Sequence, residues 1–395
     1  MARSAHPSGQ HHLGRTAGLI GAAVGLAAAG TAIGVAVTRS ATSAVRANQL
    51  AGEVGDGRQV ADVPAGELRQ EDPLGAASRT ADRTALVRTD DGVLLSVEEI
   101  GPADAPLTAV FVHGYALSMA SWTFQRRDLA AQLATANGHR PSARLVFYDH
   151  RGHGASGRGD AAHATLDQLA TDLETVLDAR VPRGPVVLVG HSMGGMTVLT
   201  LAQRRPELFG TRIAGVALVS TSSGNLAELD FGLPQLLTRL RTAVLPVAAW
   251  TMRRRPAFAE HTRKLAHGIV SAATWSLSFA STDVDPALGR YVDAMIGGTP
   301  VDVIAELYPA IAGLDAGGAV EPLRRVPTLV LTGDADKMIP RAHSEELAGE
   351  LPDAELVVVP GAGHLVLLEK PEQVTDALAG LFRRVAAERG SVRPG

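Results

Sequence analysis

The run Val186-Val187-Leu188-Val189-Gly190-His191-Ser192-Met193-Gly194-Gly195 decides how the rest of the chain is read. Its first four residues are continuously apolar, as in a strand buried on both faces. Thr197–Arg204 then shows helical spacing, so the intervening G-x-S-x-G puts Ser192 on a strand-to-helix turn. Gly190 and Gly194 lack the Cβ that would keep backbone and helix from closing around the serine. The helix N-terminus behind Ser192 favours negative charge developing beside it. Ser192 is therefore a candidate nucleophile. A hydroxyl attacks weakly at neutral pH and needs a base, itself oriented by a carboxylate.

The chain holds 13 histidines. His364 is the candidate base, because Gly361-Ala362-Gly363-His364 forms a glycine-rich loop just after the apolar run Glu355–Val359. One strand earlier, Gly333-Asp334-Ala335-Asp336 follows Pro327–Leu331 and supplies the carboxylate. The competing position, after Ile213–Val219, reads Ser220-Thr221-Ser222-Ser223 and has no acid. The chain order is then Ser, Asp, His, the order that goes with this turn.

Outward from these loops, Thr84–Arg88 and Val93–Glu99 flank Asp90-Asp91-Gly92 and predict a β-hairpin. Leu107–Val112 and Ala143–Tyr148 add two more unbroken apolar runs. Helical spacing is found in Trp122–Thr135, Thr165–Asp178, Met193–Arg204, Ala342–Glu350 and Glu372–Glu388. The body is thus an α/β sheet with an antiparallel start. Between Val219 and Pro327 no strand is evident. Leu233–Leu245, Phe258–Ser278 and Val301–Ile311 read as helices, punctuated by prolines that include Pro286 and Pro300. Such an insertion is expected to cap the sheet's C-terminal edge, where open α/β sheets bind ligands.

Over roughly Asp82 to Arg389 these pieces, with His113-Gly114-Tyr115 and the stretch Asp149 to Ser156, resemble a capped α/β-hydrolase. The resemblance implies a mostly parallel eight-stranded sheet flanked by helices, with an α-helical cap. It selects Asp336, the fourth residue of the G-x-x-D piece, as the acid, leaving Asp334 as a turn or cap carboxylate. It also implies an oxyanion hole from the backbone N–H groups of Tyr115 and Met193, and no metal or organic cofactor. Relatives that cleave carbon–halogen bonds or epoxides carry Asp at the turn. Ser192 instead points to attack on a carbonyl, so the expected activity is hydrolysis of a carboxylic ester or related acyl bond through an acyl-enzyme. Similarity to serine-dependent non-haem haloperoxidases keeps perhydrolase-like chemistry as an alternative. A catalytically idle, anchored binding module is another. His113 is expected to shape its loop, as are Asp149, Arg151 and His153, while His191 packs beside the turn.

Composition narrows the partners. Lys+Arg total 37 against 41 Asp+Glu, a net charge of −4, so no basic excess exists to hold a phosphate backbone and no nucleic acid is expected. Hydrophobic residues at 46% and charged residues at 20% describe a globular chain. With no cysteine, disulfides and thiolate chemistry are excluded. The expected partner is a small-molecule acyl substrate.

Ala17 to Val37 carries no charge and lies between Arg15 and Arg39, long enough for a helix to span a bilayer. Its small-xxx-small frames, Gly21/Gly25 and Gly30/Gly34, would suit a homodimer contact. The expected organisation is a tail over 1–16, a transmembrane helix over 17–37, a linker over 38–81, a core over 82–224 and 316–389, and a helical cap over 225–315. This makes a single-pass protein of the cell membrane, with secretion after signal cleavage as the alternative.

Overall fold

The computed structural model describes residues 60–63, 81–133, 143–226, 275–281 and 283–391. Strands β1 (Val60–Val63), β2 (Arg83–Arg88), β3 (Leu94–Ile100), β4 (Leu107–Val112) and β5 (Ala143–Tyr148) form the first part of one sheet. They are followed by β6 (Val186–His191), β7 (Ile213–Val219), β8 (Thr328–Gly333) and β9 (Glu355–Val359). The spatial order is β1-β2-β3-β5-β4-β6-β7-β8-β9. From β4 to β9 every pairing is parallel, while β1, β2, β3 and β5 pair antiparallel in succession. The eight strands expected from the sequence are all present. A ninth, β1, pairs with β2 at the edge, within the stretch read as a linker.

The parallel strands form because their residues are apolar on both sides and both sides are covered. Val110, Val112, Val186 and Leu188 face one core, shared with Leu169 and Leu173 of α2 (Leu166–Arg180) and Met196 and Leu199 of α3 (Met193–Arg204). Ala109, Phe111, Val187 and Val189 face the other. There they meet Leu129 of α1 (Thr123–Gln132) and Leu378, Leu381 and Phe382 of the C-terminal helix Pro371–Ser391. Alternate residues of one strand thus feed two cores, as a doubly covered sheet requires.

Among the described residues the insertion includes helices α4 (Pro286–Gly298) and α5 (Val301–Ala312). The expected helices Leu233–Leu245 and most of Phe258–Ser278 lie outside the described residues, as does the membrane segment 17–37 with its Gly21/Gly25 and Gly30/Gly34 frames. Among the described residues no helix is long and apolar enough to cross a membrane.

Order reverses where β4 lies between β5 and β6, so the chain leaves the C-terminal ends of β4 and β6 toward opposite neighbours. In open α/β sheets the crevice at such a point is where ligands bind. The loops carrying Tyr115 and Ser192 leave from these two strand ends.

Candidate active site

Ser192 follows β6 directly and caps α3 with φ 53° and ψ −120°, a left-handed backbone that a β-carbon resists. The turn is held in place from both sides. Ser192 N–H donates to Val219 O (2.9 Å), and its carbonyl accepts from Thr221 Oγ1 (2.8 Å). Its two glycines are needed for close approach. A Cβ on Gly194 would fall 2.2 Å from Val112 O, and one on Gly190 would fall 2.6 Å from the Gly194 carbonyl carbon. Both obstacles are backbone, which cannot swing away. Gly194→Ala is therefore expected to destabilise the protein by about 3 kcal/mol or more through overpacking. Thermal unfolding checks this; a Tm equal to wild type would contradict the packing described.

The loops after β8 and β9 bring two further side chains to the serine. His364 Nε2 lies 3.0 Å from Ser192 Oγ. His364 Nδ1 lies 2.9 Å from Asp336 Oδ2. The other carboxylate oxygen, Oδ1, accepts the backbone N–H groups of Met338 and Ile339, each at 2.9 Å. Asp336 is thus fixed by its own loop before it meets the imidazole. With a carboxylate at Nδ1, that nitrogen holds the ring proton and Nε2 is left to accept one from Ser192. All three side chains are buried, which strengthens their mutual electrostatics. Asp334, by contrast, accepts from Gly361 N–H (2.8 Å) and serves as a turn carboxylate.

Met193 is the first residue of α3 and fully buried, so its N–H is among those that a helix start leaves without an intrahelical partner. Tyr115 sits on the loop after β4. Neighbouring groups shape that loop: Ala116 N–H donates to His153 Nε2 (3.3 Å) and Met119 N–H to Asp149 Oδ1 (2.7 Å). From the insertion, Tyr291 Oη donates to Ala120 O (2.7 Å), Thr299 Oγ1 to Ala116 O (3.2 Å), and the Tyr115 hydroxyl to Ile304 O. Helices α4 and α5 are therefore fastened to the loop beside Ser192.

The four histidines packed around this site are structural in their contacts. His113 Nδ1 pairs with Gly114 O (2.8 Å), and its Nε2 accepts from His150 N–H (3.0 Å). Burial pushes His150 down to about 3 and His153 to about 4, so both rings are neutral near pH 7. His191 is held at about 3 by burial and then by the neighbouring His364. Being neutral, it donates Nε2–H to the His364 carbonyl (3.0 Å). The sequence places His191 beside the turn; its bond to the residue carrying the base needs the fold to be seen.

One more group was not legible in the sequence. Glu369, five residues beyond His364, accepts from Gly363 N–H (2.7 Å) and from Ala280 N–H (2.9 Å). Nothing local marks Ala280 as its partner, since 89 positions separate them.

Residues 110–371 match the family model for the alpha/beta hydrolase fold, well over half of the chain. The chain belongs to the α/β-hydrolase family. Among curated relatives of this hydrolase is the dihydrolipoyllysine-residue acetyltransferase component of the acetoin cleaving system of Pseudomonas putida. It is 28% identical over 295 residues, 72% of this chain but only 65% of that protein's length. The mouse sn-1-specific diacylglycerol lipase ABHD11 is also 28% identical, over 71% of this chain and 82% of its own. Among solved structures, a thermophilic esterase from Thermogutta terrifontis superposes with a TM-score of 0.54 at 23% identity. That match covers 83% of this chain and 99% of the esterase, and it speaks to the fold alone.

Proposed function

We propose that this α/β-hydrolase is a serine hydrolase that cleaves a carboxylic ester or related acyl bond of a small to medium substrate. The observation that carries the reading is the continuous hydrogen-bonded chain from Ser192 Oγ through His364 to Asp336, starting at a serine with positive φ. Ester-cleaving relatives such as the mouse diacylglycerol lipase support it.

In the proposed cycle Ser192 Oγ attacks the substrate carbonyl carbon while its proton passes to His364 Nε2. The imidazolium that forms is stabilised by Asp336, to which it donates Nδ1–H. The negative carbonyl oxygen is received by the Met193 and Tyr115 N–H groups, each such donor being worth about 10²–10³ in rate. Collapse expels the alcohol, which takes the proton from His364, and leaves an acyl-Ser192 ester. A water molecule then gives a proton to His364 and attacks the acyl carbon. Second collapse returns the proton to Ser192 and frees the acid. The apolar residues of the insertion suit an apolar acyl group. A panel of p-nitrophenyl esters graded by acyl length tests the reading: saturable hydrolysis that depends on Ser192 supports it, and no turnover of any member sinks it.

Residues 17–37 are proposed as a membrane tether on the strength of their uncharged run. Fractionation checks it: the full chain is expected with membranes and a chain lacking residues 1–40 in the soluble fraction. Identical distributions would dismiss the tether.

A further inference from the structure

The segment 275–281, which lies within the insertion ahead of α4, is bonded to both loops that carry the candidate base and acid. Leu365 N–H donates to Ser278 O (3.0 Å), immediately after His364. Immediately before it, Gly363 lies so close to the segment that a Cβ would sit 2.6 Å from Ala280 N and from the Phe279 carbonyl carbon. Lys337, next to Asp336, donates Nζ–H to Ser276 O (2.9 Å). Phe279 anchors the segment, fully buried in the core that α1 shares.

Glu369 closes this arrangement. One carboxylate oxygen takes the N–H of Gly363 and the other takes the N–H of Ala280. A single side chain therefore ties the residue before the base to the 275–281 segment of the insertion, with two charge-assisted bonds. Burial pushes the Glu369 carboxyl above the usual carboxylate range, against the pull of those two N–H groups. A carboxyl kept there despite its desolvation serves both backbones at once, because a neutral amide offers only one acceptor oxygen. The His364 backbone is then gripped at three consecutive points, at 363 by Glu369, at 364 by His191, and at 365 by Ser278.

We infer that Glu369 is a positioning residue for His364, a clamp that makes the register of the base depend on the seating of the insertion's 275–281 segment. The inference rests on the serine-hydrolase reading above. Glu369→Gln keeps the size of the side chain but sets an NH₂ group against one of the two N–H donors, so one backbone is released. Displacements of about 1 Å at a reacting group can cost about 10² in rate. Both Glu369 oxygens are engaged by the Gly363 and Ala280 backbones, so the residue acts through them: kcat should carry the loss and KM should hold.

The test is ester hydrolysis by the full chain and by Glu369→Gln, normalised to active sites titrated with a fluorophosphonate. Wild-type protein that takes no fluorophosphonate and turns over no ester refutes the serine-hydrolase reading itself, and the clamp with it. Where wild type is active, the expected result is a kcat per titrated site lower by about 10- to 100-fold with KM within about twofold. A merely structural role would lower Tm or the number of titratable sites and leave kcat per site intact; that result overturns the inference. If Glu369→Gln does not fold, Lys337→Gln replaces it, removing an exposed side chain's bond to the same segment. A fall in kcat of about threefold at constant KM is then expected, and an unchanged kcat overturns the clamp.

Discussion

Alanine at position 192 is expected to lower ester turnover by about 10⁶-fold while leaving the protein folded. Without Oγ no acyl-enzyme can form, and the proton path through His364 has no origin. What remains in the proposed cycle is the pair of amides of Met193 and Tyr115, which would still favour attack by water. That residue of catalysis, about 10³–10⁴ over the uncatalysed rate, is what a triad knock-out typically retains. KM should change little, because the serine hydroxyl contributes to the transition state far more than to binding. Steady-state rates on a p-nitrophenyl ester, with Tm measured alongside, check the expectation. Turnover within tenfold of wild type would show that another group performs the attack.

Asp336→Asn should cost about 10⁴ in kcat with little loss of stability. The reason is in the two sets of bonds that Asp336 makes. Oδ1 faces the N–H groups of Met338 and Ile339 and must remain an oxygen to accept them. The amide nitrogen is then forced to the position of Oδ2, facing His364 Nδ1. There it donates, so the ring must accept at Nδ1 and carry its proton on Nε2. Nε2–H points at Ser192 Oγ and cannot take the serine's proton. Geometry survives while the base is lost, and the carboxylate charge that would steady the imidazolium goes with it. Rates on the same ester show the size of the effect, and near-normal turnover would mean that the contact observed at 2.9 Å does not govern the imidazole.

Much of this was legible in the sequence because the parallel strands are unbroken apolar runs and the three candidate side chains, Ser192, Asp336 and His364, sit on glycine-rich loops at their ends. Leu107–Val112, Ala143–Tyr148 and Ile213–Val219 have the same bounds in the sequence reading and in the structure. What escaped depends on distant partners. β1 reads Val-Ala-Asp-Val, too short and mixed to stand out, and exists through its ladder with β2. Helix α4 was hidden by its own proline. Pro286 reads as punctuation, yet it opens the helix at a position where no N–H is required, while Asp285 caps by accepting from Ala287 N–H (2.8 Å). Glu369 and the 275–281 segment meet only because the insertion packs against the loop after β9. No local pattern marks such a contact.

The reactivity of Ser192 is most directly measured by incubating the full-length protein with a fluorophosphonate probe and mapping the adduct by mass spectrometry. A single stoichiometric adduct on Ser192, abolished by His364→Ala, is the predicted result. An absence of any adduct on Ser192, under conditions that label a known serine hydrolase in the same tube, would contradict the account at its root.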